Sequence, residues 1–244
     1  DYGWMIPWKV GLLEKAYKRF WNKGRKEVEA FTAENTNWLP DYALFMAIKA
    51  SFGGGSWIEW PEEFKRRDPA TLEAFKKGNQ DAINAQLFYQ YMFYKQWGEI
   101  RADANEKGVQ IIGDIPIYIA HDSSDVWMNL ELFSVDDLGF LELKAGVPPD
   151  DFSDEGQLWG NPLFKWEVHA ETGFDWWKQR LSQTLKSIDI LRIDHFRGFA
   201  GYWEIPGDSD SAKVGEWVPG PGADFFSKVL GDMGELPLIA EDLG

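Results

Sequence analysis

The stretch Ser187-Ile-Asp-Ile-Leu-Arg-Ile-Asp-His-Phe-Arg-Gly198 constrains this chain more than any other. Ile188, Ile190, Leu191 and Ile193 form a short, almost continuous apolar run, the pattern of a parallel strand buried on both faces. Charge begins abruptly at its end with Arg192, Asp194, His195 and Arg197. Side chains two apart on a strand point the same way, so Arg192 and Asp194 share a face. A carboxylate beside a guanidinium at the C-terminal end of a buried strand is an active-site layout in α/β folds. An ion pair that merely closes the strand end is the alternative.

Two further runs read the same way. Val109 to Ile119 contains a strand ending near Asp114, and Pro116, which has no N–H to give a ladder, is expected beyond it. Leu236-Pro-Leu-Ile-Ala240 is a third strand, ending at Glu241. Gly173 to Ser187 and Ala223 to Met233 read as helices, His121 to Trp127 as a loop entering a short helix, and 130–171 and 201–222 as irregular. Strands separated by helices imply a parallel sheet with helices outside. In a (β/α) barrel the acid-bearing strand ends Asp114, Asp194 and Glu241 converge on one face. A doubly wound sheet is the alternative, but no Gly-rich phosphate loop is present to support it. Residues 1–107 read as mainly helical, with Pro7 opening the first helix, Gly53-Gly54-Gly55 stopping the second and Asp68 and Asn79 as caps. The expected organisation is therefore a helical insertion subdomain over 1–107 and part of a barrel over 108–244, with a long irregular loop at 130–171.

Composition narrows the function. A net charge of −15 argues against nucleic acid, which needs clustered Lys and Arg. No run approaches the length of a membrane span. With no cysteine, disulfides, thiolate metal sites and a cysteine nucleophile are excluded, and a cytoplasmic setting fits. His121, His169 and His195 lie too far apart for metal-ligand spacing, and His169 is expected at the surface. Aromatic residues make up 16% of the chain, which suits either a core or a sugar cleft; Trp57 and Trp60 fit both. The chain opens on Asp1 without an initiator Met and stops directly after a strand, so a fragment is expected.

Two carboxylates roughly 5 Å apart across a glycosidic bond can run a retaining double displacement. Asp194 suits the ionised nucleophile, since Arg192 should favour its charged form. Glu241 suits the acid/base, since the preceding Pro-Leu-Ile-Ala suggests apolar surroundings that favour the neutral form.

Several motifs carry a resemblance. Ile112 to Ala120, Asp125-Val-Trp127, Gly146-Val-Pro-Pro149, Gly156-Gln-Leu-Trp-Gly-Asn-Pro162, Leu191 to Gly198 and Ile239 to Gly244 are similar to motifs of the 4-α-glucanotransferases. These are the amylomaltases or disproportionating enzymes of glycoside hydrolase family 77. The resemblance runs from Tyr2-Gly3 and Ile6-Pro-Trp-Lys9 to Gly244. It implies an α/β fold, part of a (β/α)8 TIM barrel of the glycoside hydrolase type with a helical insertion. It also implies transfer of α-1,4-glucan segments between maltooligosaccharides, in starch, glycogen or maltose metabolism, with no metal or organic cofactor and no nucleic acid or membrane partner. Within it, Asp194 falls on the nucleophile and Glu241 on the acid/base, while Asp114, Arg192, His195, Trp159 and Asn161 fall on sugar-binding positions. Asp151 stands where the family pattern has an aromatic. The family also uses a third carboxylate from a later barrel strand, so the 244-residue chain alone is expected to be inactive. An α-glucan hydrolase of the α-amylase type and a non-catalytic glucan-binding module are the rival functions.

Overall fold

Contacts along the backbone divide the chain into two compact units, Asp1–Ile100 and Arg101–Gly244. The structure is a computed structural model and describes residues 1–151 and 153–241. Asp242, Leu243 and Gly244, the end of the last motif, lie outside the described residues.

The first unit is helical. Helix α1 (Tyr2–Glu34) begins before Pro7, which lies inside it, and Asp1 caps it by accepting from the Gly3 amide at 2.9 Å. Helix α2 (Leu39–Ser51) ends where Gly53 and Gly54 take positive φ. A one-turn helix α3 (Glu62–Lys65) precedes α4 (Pro69–Gly78), which Asp68 caps through the Thr71 amide. Helix α5 (Gln80–Glu106) follows. Tyr17 and Val28 of α1 pack with Phe88 of α5, flanked by Phe20 and Trp21. Gly24 makes that packing possible, since a Cβ there would lie 2.1 Å from the Phe20 ring. Trp57 and Trp60 are buried, which gives both a packing role.

The second unit contains two sheets. Strands β1 (Ile112–Pro116), β4 (Ile190–Asp194) and β7 (Leu238–Ala240) are parallel, with β4 between the other two. Their register pairs Asp114 with Arg192 and Arg192 with Ile239. Pro116 lies inside β1, opposite Asp194, rather than beyond it; the next amide, Ile117, is the one that donates to the Asp194 carbonyl, so the ladder to β4 asks no bond of Pro116. Nor is β4 buried on both faces: Leu191 and Ile193 are buried, whereas Ile190, Arg192 and Asp194 are half-exposed. The run is an alternation in which Arg192 and Asp194 share the more exposed face.

The segments expected to be irregular form a second, antiparallel sheet. It comprises β2 (Leu143–Val147), β3 (Gln157–Pro162), β5 (Gly201–Pro206) and β6 (Glu216–Pro219), in the order β3-β2-β5-β6. Helices α6 (Ser124–Met128), α7 (Trp166–Glu171), α8 (Asp175–Leu185) and α9 (Gly222–Met233) complete the unit. Its core is an aromatic web that includes Phe133, Phe164, Trp166, Trp177, Phe199 and Phe225. His169 is fully buried in that web instead of lying at the surface, because α7 turns it inward against Phe164 and Trp176. Among the described residues no helix is long and apolar enough to cross a membrane.

Candidate active site

Because β1, β4 and β7 are parallel neighbours, the acids at their ends approach one another. Arg192 on the central strand joins them. Its Nη1 donates to Asp114 Oδ2 at 2.6 Å, and its Nη2 donates to Asp194 Oδ1 at 2.9 Å and Glu241 Oε1 at 2.5 Å. Two oxygens on one nitrogen lie no farther apart than the two bonds laid end to end, about 5.4 Å. Hydrogen bonds to Asp114 and Asp194 push the Arg192 pKa up, so the guanidinium stays charged.

Glu241 is not in the apolar setting that its sequence neighbours suggest. Oε1 is taken by Arg192 and Oε2 accepts from the His195 amide at 2.6 Å. His195 adopts the left-handed conformation, φ 52° and ψ 45°, a costly state for a residue with a Cβ that tends to mark functional turns. That conformation turns the chain at the end of β4. Glu241 is the most enclosed of the three acids, its side chain 12% exposed against 47% for Asp194 and 58% for Asp114.

Asp194 also borders a cavity of about 500 Å³, with His195, Tyr118, Trp159, Leu158 and Asn161 around it and Pro116 and Ile117 below. Trp159 meets the His195 ring edge to face at 4.8 Å, and both rings pack on Tyr118. Trp159 Nε1 donates to Gln157 Oε1, and Asn161 Nδ2 donates to the Ile119 carbonyl at 2.7 Å. Burial lowers the His195 pKa, which the Glu241 and Asp194 charges partly offset. The Tyr118 hydroxyl and His195 Nε2 are buried without a hydrogen-bond partner among the described residues. The residues singled out from sequence therefore fall into two groups that share Asp194. Asp114, Arg192 and Glu241 form the ionic cluster; His195, Trp159 and Asn161 line the cavity.

Three contributors were missed from the sequence. Tyr118 supports the cavity rings, though alone it reads as any strand aromatic. Arg180 of α8 donates to the Pro116 and Ile117 carbonyls at 2.6 and 2.8 Å, which anchors the end of β1. Asp189 accepts from the Ile111 amide, Asn105 and Arg101. Those bonds hold its carboxyl well below the usual range, at about 2, and knit the start of β4 to the start of β1.

Comparison with known proteins gives concordant matches. The family model described as 4-alpha-glucanotransferase matches residues 1–244. A 4-alpha-glucanotransferase of Streptococcus pneumoniae is 46% identical over all of this chain and 49% of its own length. The 4-alpha-glucanotransferase of Thermus thermophilus is 43% identical over all of this chain and 50% of its own. Among solved structures, an amylomaltase from Streptococcus agalactiae in complex with acarbose superposes with a TM-score of 0.96 at 44% identity, covering all of this chain and 50% of that one. The chain spans about half the length of the curated relatives it matches.

Proposed function

Since the chain belongs to the 4-alpha-glucanotransferase family, glycoside hydrolase family 77, we propose that it carries the nucleophile and the acid/base of an enzyme that moves α-1,4-glucan segments between maltooligosaccharides. The observation that carries this reading is the Arg192 cluster, which holds Asp194 and Glu241 within about 5.4 Å of each other. That separation suits a retaining mechanism; an inverting pair needs room for a water between its carboxylates.

In this reading Asp194 attacks the anomeric carbon as the glycosidic C–O bond breaks, and Glu241 gives its proton to the departing oxygen. An acceptor hydroxyl then returns its proton to Glu241 while its oxygen displaces Asp194, so the configuration is retained. Glu241 must be protonated for the first step, while each of its oxygens accepts one N–H bond. Each oxygen keeps a second lone-pair site, so Glu241 can carry the proton beside those bonds. Asp114, Arg192, His195, Trp159 and Asn161 contact the sugars. Residues 1–107 form a helical insertion, and 108–244 form part of a (β/α)8 barrel, a reading supported by the parallel order of β1, β4 and β7. A cytoplasmic setting belongs to the same reading.

The test is the product profile of the full-length gene product on maltotriose. Glucose with a ladder of longer dextrins is expected, and Asp194→Asn should lower turnover by about 10³-fold or more. Glucose and maltose with no longer product would sink transfer in favour of hydrolysis. Acarbose, bound by the Streptococcus agalactiae protein, is expected to inhibit.

A further inference from the structure

We propose that Trp217 is a stacking platform for one glucose unit of a longer α-1,4-glucan, a subsite outside the 500 Å³ cavity; the proposal rests on the glucan reading above. Trp217 is 45% exposed on the edge strand β6, yet it is braced on two sides. The Arg197 guanidinium lies 4.2 Å from its ring centroid, and Trp203 meets it at 5.5 Å and 67°. Trp203 is itself fixed, because its Nε1 donates to the Ala212 carbonyl at 2.9 Å. Gly215 lets that indole approach, since a Cβ there would lie 2.7 Å from Nε1. An exposed indole that is already immobilised loses little side-chain entropy on binding. A flat aromatic plate suits the C–H face of a pyranose.

The brace originates beside the reacting carboxylate. Arg197 sits in the short 3-10 turn Phe196–Phe199 that directly follows His195, and its charge is felt at His195. The end of β6 rests on the same segment: Gly220 donates to the Ala200 carbonyl at 3.0 Å, and a Cβ on Gly220 would lie 2.3 Å from the Phe199 carbonyl oxygen. Arg197 is held by its place in that turn, whose Gly198 amide donates to the His195 carbonyl and whose Ala200 amide donates to the Arg197 carbonyl at 2.8 Å. Trp159 and Trp217 occupy the two opposite edge strands of the antiparallel sheet. The cavity is of a size for one small ligand, so further units of a longer chain lie outside it; a row of directly paired residues, Leu158 of the cavity wall, Gly146, Trp203 and Trp217, leads across the sheet from the cavity to the indole.

The experiment is calorimetric titration of the full-length gene product with maltotriose and with maltoheptaose. Trp217→Ala should lower the ratio of maltoheptaose to maltotriose affinity about tenfold, and Trp217→Phe should restore most of it. Val214→Ala, at an exposed position of the preceding loop, should leave the ratio unchanged. An unchanged ratio in Trp217→Ala overturns the proposal, and so does an equal loss for both sugars, which reports damage to the common site. Wild-type protein that binds both sugars but does not lengthen maltotriose would refute transfer and leave the subsite standing. Wild-type protein that binds neither would refute both.

Discussion

Arg192 carries one positive charge among three carboxylates, and lysine in its place would separate charge from shape. A lysine keeps the charge but offers a point donor, whereas the guanidinium spans Asp114 with one nitrogen and Asp194 and Glu241 with the other. Arg192→Lys should therefore lower kcat by about 10²-fold. A kcat within about twofold of wild type would remove Arg192 from that role. This level was the most legible in sequence. Two-residue periodicity puts Arg192 and Asp194 on one face without any structure. The setting of Glu241 was not legible, because its second partner is the amide of His195, far away in sequence and presented by a left-handed backbone that the residue type does not announce.

At the scale of elements, the parallel strands were readable from their apolar runs, while the antiparallel sheet was not. Its strands contain Gly146, Gly160, Pro162, Gly201, Pro206 and Pro219, residues that weigh against strand in any local reading, and they pair across long separations. Gly146 shows what the pairing requires: a Cβ there would lie 2.3 Å from the Gln157 carbonyl oxygen. The attachment of α8 to β1 was hidden for the same reason. Arg180 is packed over the Trp176 and Trp177 rings at 5.5 and 4.8 Å while it binds two strand-end carbonyls. Arg180→Leu keeps much of the bulk and strands both carbonyls, so a loss of about 2–4 kcal/mol is expected in urea unfolding. A loss under about 0.5 kcal/mol would mean that water replaces the guanidinium there.

For the molecule as a whole, acid stability is set in part by His169. Burial drives its pKa from 6.5 down to about 4, with a weak opposing pull from the Leu132 carbonyl. The unfolded chain therefore binds a proton that the folded one refuses. The stability linked to this group is intact above about pH 6.5 and declines as pH falls to about 4, by about 3 kcal/mol in total. His169→Phe, which suits the surrounding rings, should narrow the gap between urea midpoints at pH 7 and pH 4; an unchanged gap would assign the acid lability elsewhere. The arginine-centred cluster has a corollary for assembly. Its acids are delivered by three separate strands, and a slip of one residue in any strand would swing its side chain to the opposite face. Correct alignment of the sheet and assembly of the cluster are thus a single event, so a misaligned folding intermediate holds no half-built version of it. On the proposed function, transfer by the refolding full-length gene product should accordingly recover with completion of the sheet, with no earlier phase of hydrolysis.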